Sequence, residues 1–68
     1  MEESDICKSL NDAENDEAKG IDFYIKLRNN LKSDTDRFNI DWITNEEEQH
    51  FTAIKFMKQA HGCVDESV

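Results

Sequence analysis

The sequence predicts an all-α fold, an antiparallel two-helix hairpin that dimerises into a four-helix bundle. Three observations carry this. Proline is absent and only two glycines occur in 68 residues, so little interrupts a helical run. Two stretches of Leu, Ile, Lys and Glu at helical spacing flank one short polar segment, Ser33-Asp34-Thr35-Asp36. The apolar arc on both stretches is also wider than one partner helix can cover, which calls for burial against several helices and hence for self-association.

Taken in order, Met1 to about Lys8 reads as a polar, frayed lead-in. The first helix is expected to start near Ser9 or Asn11, both good N-caps, with Asp12 and Glu14 favourable in its first turn. It should run to about Lys32. The segment from Ser33 to Asp36 supplies capping side chains and no apolar residue, which marks a turn. The second helix then runs to about His61, and Gly62 is placed for a left-handed cap. The chain thus divides into a flexible acidic N-terminus over 1–8, a helical hairpin over 9–61 and a flexible tail over 62–68. Beyond the seams, Phe38, Trp42, Ala53, Phe56 and Ala60 on the second helix, and Ile21, Phe23 and Ile25 on the first, widen the apolar arc.

Sixteen acidic residues against eight basic ones give a formal net charge of −8. That argues against a basic surface for nucleic acid and against an anionic membrane. No apolar run approaches the roughly 20 residues of a membrane span. The opening Met1-Glu2-Glu3-Ser4-Asp5 lacks the basic and apolar regions of a signal peptide, so a cytoplasmic protein is expected. Cys7 and Cys63 have no metal-type or redox-type spacing. In a reducing compartment they are expected as ordinary thiols. An antiparallel hairpin would bring them together, which keeps a Cys7–Cys63 disulfide as the less favoured alternative.

The informative residues lie on the seams. Counting by alternating threes and fours, the first helix reads Leu10, Ala13, Glu17, Gly20, Tyr24, Leu27, Leu31. The second reads Ile40, Ile43, Glu47, His50, Ile54, Met57, His61. These are inward-facing heptad positions, where apolar residues belong. A carboxylate buried there costs several kcal/mol, on the order of a lost ion pair, unless a cation or hydrogen bonds compensate it. With the turn centred near residue 34, Glu17 falls within about a turn of both Glu47 and His50. Glu47 and His50 share one face of their helix. Two carboxylates and an imidazole at one level point to a metal ion, and the ligand types suit iron, manganese or zinc alike. One chain offers only these three ligands. A twofold dimer doubles them to a Glu from each of two helices and a Glu-x-x-His from each of the other two, the donor set of a di-iron carboxylate bundle.

Glu17-Ala18-Lys19-Gly20-Ile21-Asp22-Phe23-Tyr24, followed by Asn45-Glu46-Glu47-Glu48-Gln49-His50, resembles the ferritin-like superfamily. In particular it resembles the half-length members typified by encapsulated ferritins, and more distantly the rubrerythrins. The likeness covers about residues 13 to 58. It implies a ferroxidase in iron storage or detoxification. Two chains would sandwich two irons between Glu17, Glu47 and His50 of each, with manganese or zinc as substitutes. Tyr24, two turns from Glu17 on the same seam, would hydrogen-bond a ligand or take part in electron transfer; the alternative is a core aromatic with its hydroxyl at the rim. Gly20 would let another helix or the metal shell approach, or simply serve packing. The resemblance also implies a dimer or a larger ring of dimers, and a protein nanocompartment around it. No residue here supports docking into an encapsulin-type shell, however. Asp16 and Glu14 are the candidates for an outer acidic site, although Lys19 stands where another acid is expected. His61 is not assigned as a ligand, and Glu46 and Glu48 are expected to face water.

Two other functions fit the same residues. One is a non-catalytic, acidic helical hairpin that binds a basic partner. The other is a dimer clamped by a structural metal, with folding coupled to the ion.

Overall fold

The computed structural model describes residues 3–63 as two helices, α1 (Glu3–Asn30) and α2 (Asp34–Ala60), packed antiparallel as a hairpin. The described body measures 47 × 21 × 15 Å, the size of two helices side by side with no further layer. None of the described helices is long and apolar enough to cross a membrane.

The turn is built from the side chains that the sequence offers for it, but it lies slightly earlier than expected. α1 ends at Asn30 rather than near Lys32, and residues 31–33 make the connection. Ser33 is the N-cap of α2, in extended backbone, and its hydroxyl accepts from the Asp36 amide at 3.2 Å. Asp34 and Asp36 are therefore first-turn residues of α2, where their charge meets the positive end of the helix dipole. Arg37 reaches back to donate from Nε to the Leu31 carbonyl at 2.8 Å, satisfying a backbone group that α1 leaves free. One ion pair, Arg28 to Asp41 at 2.6 Å, holds the helices together near this end.

At the open end, α1 begins at Glu3, so residues 3–8 are its first turns and not a frayed lead-in. Ser9 and Asn11, expected as caps, lie inside the helix. Acidic residues at a helix start are favourable to its dipole, and Cys7 is anchored across the hairpin. Its sulfur is bonded to that of Cys63, with the Cα atoms 5.5 Å apart. The two cysteines expected as thiols are thus joined. What brings Cys63 there is the end of α2: Gly62 takes φ 67°, its amide donates to the Gln59 carbonyl, and the Cys63 amide donates to the Lys58 carbonyl. This is the glycine-based left-handed cap, and it folds the chain back toward α1. The flexible ends expected at 1–2 and 64–68 lie outside the described residues.

Between the ends, α1 presents the expected seam: Leu10, Ala13, Glu17, Gly20, Tyr24 and Leu27 are all half-buried, as is Leu31 just beyond its end. α2 departs from its expected seam. Ile40, Ile43 and Glu47 are half-buried and Ile54 is buried, but His50, Met57 and His61 are exposed. Phe51 and Lys58 turn inward instead. A strict heptad count assumes 3.5 residues per turn, whereas a straight helix has 3.6, a drift of about 20° per heptad. By the second half of α2 that drift has moved the contact line onto the neighbouring row. Lys58, only 5% exposed, lays its stem along the interface and meets Glu14 at 3.3 Å. Ile54 is the one apolar side chain among the described residues to be buried, while Phe23, Ile25, Phe38, Trp42, Phe56 and Met57 are exposed.

Candidate metal centre

Glu17 on α1 and Glu47 and His50 on α2 converge midway along the hairpin. One ligand atom of each can be chosen so that all three lie within 4.8 Å of one another. His50 Nδ1 is 3.8 Å from Glu17 Oε1. The antiparallel register sets this level, and the spacing of Glu47 and His50 by three puts them on one side of α2. Burial is graded across the group. Glu17 and Glu47 sit in the interface, with the Glu17 side chain 24% exposed, while the imidazole is 60% exposed at its margin. The drift of α2 therefore leaves the three donors together but turns the site toward one open flank.

The electrostatics of this group are unfavourable as it stands. Glu17 Oε2 is buried and accepts no hydrogen bond. Its neighbour is a second carboxylate. The hydrogen bond that a protonated Glu17 can make to Glu47 raises its pKa above the usual carboxylate value. Burial and the charges of Glu47 and Asp16 push the same way, and His50 opposes them. With both carboxylates ionised no donor serves Oε2; a proton between them, or a cation, would. The fit to a divalent first-row ion is good in kind: two oxygen donors, one nitrogen donor and an orphaned anionic oxygen. Three side chains leave coordination positions unfilled.

The other candidates stand apart from this cluster. Tyr24 is half-buried on the seam and stacks edge-on with Phe23 at 5.6 Å between ring centroids. Among the described residues no hydrogen bond joins its hydroxyl to Glu17, Glu47 or His50. Gly20 faces Glu47: a methyl built there would lie 3.7 Å from Glu47 Oε2, which is ordinary contact. Within one chain, then, nothing requires a glycine, although one in a helix interior costs about 1 kcal/mol. Glu14 is occupied by Lys58. Of the two residues considered for an outer acidic site, only Asp16 remains available, exposed and close enough to act on Glu17. Glu46, Glu48 and His61 are exposed. Sequence reasoning missed Lys58. Its signal is the helical row Glu47, Phe51, Ile54, Lys58, which continues the interface at 3.6 residues per turn. No protein family, curated protein or solved structure matches this chain.

Proposed function

We propose that the chain is one half of a di-iron carboxylate site and acts as a ferroxidase, with two hairpins closing into a ferritin-like four-helix bundle. The observation that carries this reading is the meeting of Glu17, Glu47 and His50 around a buried oxygen that no donor satisfies. The flank on which His50 opens adds support. At 3.6 residues per turn it carries Ile43, Glu46, Ala53 and Met57 on α2 and Asp16, Gly20, Phe23 and Leu27 on α1. Apart from the two acids these residues are apolar or small, and a second hairpin laid over the donors would cover them. A twofold axis there would supply four carboxylates to two Fe(II) ions and balance their charge. Iron is the substrate: each Fe(II) gives up one electron to dioxygen or peroxide. The carboxylates would hold the ion before and after that change, binding it in their ionised form.

The test is aerobic Fe(II) oxidation, followed by absorbance, for the metal-free protein, the Glu47→Ala variant and buffer. Oxidation well above buffer that the variant loses is the expected result. Equal rates in all three would refute the enzymatic reading. A second reading, a structural ion that clamps the dimer, draws on the thin core, in which Ile54 alone among the described residues is a buried apolar side chain. It predicts that chelation melts the helices without any iron oxidation being present to lose.

A further inference from the structure

The bridge at the open end is bordered by charge of the sign opposite to that of the chain as a whole. Glu14, Lys55, Lys58, Gln59 and Cys63 line a cleft of about 120 Å³, the room of roughly four water molecules. Of the two bridged residues, Cys63 is the one in its wall. Lys55 and Lys58 stand three apart, on one side of α2. Lys58 is buried and donates to Glu14 at 3.3 Å. Lys55 is exposed, with its ammonium 5.1 Å from the centre of the Phe51 ring. Two cations against one carboxylate give the cleft a positive balance, in a chain whose formal net charge is −8. Cations beside a disulfide favour its opening by a thiolate, because both the attacking and the leaving sulfur carry negative charge. The cleft is too small for the face of another protein, and it suits a small anionic thiol.

The bridge also stands in series with the carboxylate cluster. From the open end inward, α1 and α2 are tied first by Cys7–Cys63 and then by Glu14–Lys58, and they next meet at Glu17, Glu47 and His50. Glu17 follows Glu14 by three residues, less than one turn. Whatever parts the helices at Glu14 therefore draws Glu17 away from the two donors on α2. An ion held by all three would tie α1 to α2 just as the bridge does. Two ties that favour the same closed hairpin strengthen each other, and by equal factors. We propose that the Cys7–Cys63 bond is a thiol-operated lock on the metal centre, opened by a small anionic thiol at Cys63. The proposal rests on the reading of Glu17, Glu47 and His50 as a metal site. First the thiolate attacks Cys63 Sγ: a mixed disulfide forms there, and the old S–S bond breaks with its electron pair on Cys7, which takes a proton from water. A second thiolate then attacks the sulfur of the attached thiol. The small disulfide departs, and Cys63 leaves as a thiolate that is protonated in turn. Two thiols are oxidised for one bridge reduced, and the hairpin loses the tie that closes its open end over the ion.

The thiol used in the test is 2-mercaptoethanesulfonate, with cationic cysteamine as its control, on the oxidised full chain in chelator. After an acid quench, alkylation and digestion, mass spectrometry should find the mixed disulfide on Cys63 and the free thiol on Cys7. Lys55→Gln, at an exposed position, should lower the ratio of the sulfonate's rate to that of cysteamine by about threefold or more. A merely structural effect would move both rates together. Mn(II) then reads the lock, through the loss of its free electron paramagnetic resonance signal. The oxidised chain should bind it about tenfold or more tighter than Cys7→Ser/Cys63→Ser, with a ceiling of roughly a thousandfold set by loop closure. The reverse measurement needs no variant: saturating Mn(II) should shift the bridge's equilibrium with the thiol toward the disulfide by the same factor. A mixed disulfide on Cys7, or a rate ratio that Lys55→Gln leaves unmoved, would overturn entry at Cys63. Equal Mn(II) affinity with and without the bridge would overturn the lock and leave the metal site standing. If the oxidised chain binds no Mn(II), or Glu47→Ala binds it as well, the metal reading itself falls and the lock with it.

Discussion

Removing the Cys7–Cys63 bridge should cost this hairpin most of its stability. The bond joins residues 56 positions apart, nearly the whole described chain. Closing a loop of that length removes chain entropy from the unfolded state worth about 4 kcal/mol at 25 °C. A domain of this size has in all roughly 3–10 kcal/mol, and among the described residues only Ile54 and Lys58 are buried, the latter paired to a half-buried Glu14. The loss should also be local in origin. The turn is held by Ser33, Arg37 and the Arg28–Asp41 pair, so without the bridge the hairpin opens from the other end. The assay is urea unfolding followed by circular dichroism on dilute, chelated protein, oxidised against the Cys7→Ser/Cys63→Ser variant. Hydrogen exchange runs in parallel. We expect the variant to lose about 4 kcal/mol and the amides of the first turns of α1 and the last turns of α2 to exchange first. A loss under about 1 kcal/mol, or exchange that starts at the turn, would refute the reasoning, because the loop-entropy term and the placement of the remaining contacts would then both be wrong.

Two further predictions concern buried charge. Glu14→Ala leaves the Lys58 ammonium in the interface without its partner and should cost about 3 kcal/mol, whereas Lys58→Met, which keeps the stem and removes the charge, should cost under about 1 kcal/mol; urea midpoints of the two variants give the order, and the reverse order would show that the pair is held in solvent. Glu17 has its pKa raised in the folded chain, so between the unfolded value and the folded one the native state binds more protons, and stability falls as pH rises through that window. Thermal melts of the chelated protein should therefore show stability declining as pH rises above the ordinary carboxylate range, Glu17→Gln should flatten that decline, and an unchanged slope in the variant would place its origin elsewhere.

Much of the fold was legible because it rests on local chemistry. The polar segment after Leu31, the serine cap, the glycine after His61 and the row from Leu10 to Leu31 all act within a turn or two of themselves. The site was legible for a related reason: once the turn is placed, antiparallel register fixes which residues share a level, and Glu17, Glu47 and His50 do. The second half of α2 was not legible from a heptad, since a small angular error per turn accumulates with distance from the turn. That error exchanged Met57 for Lys58 and put His50 at the margin. The bridge was underweighted because a prior on redox compartment outweighed a geometric fact, that the ends of a hairpin meet. A lasting disulfide belongs to oxidising surroundings, or to a chain secluded from cellular reductants. The Cys7–Cys63 bond therefore bears on where this protein resides more directly than does its acidic N-terminus.

Stability and function are distributed unevenly along the hairpin. At the turn and at the open end every device is satisfied: a cap, a guanidinium on a free carbonyl, a glycine terminus, a disulfide. Midway, where the helices should pack best, two carboxylates face each other, one oxygen has no donor, and a glycine stands where an alanine would fit. A sequence under selection for stability alone would have placed leucines there, since apolar replacement of buried charge is often neutral or stabilising. On the proposed reading, the rules broken at this level belong to a site rather than to a poor core, since local rules are most often broken where a function needs it.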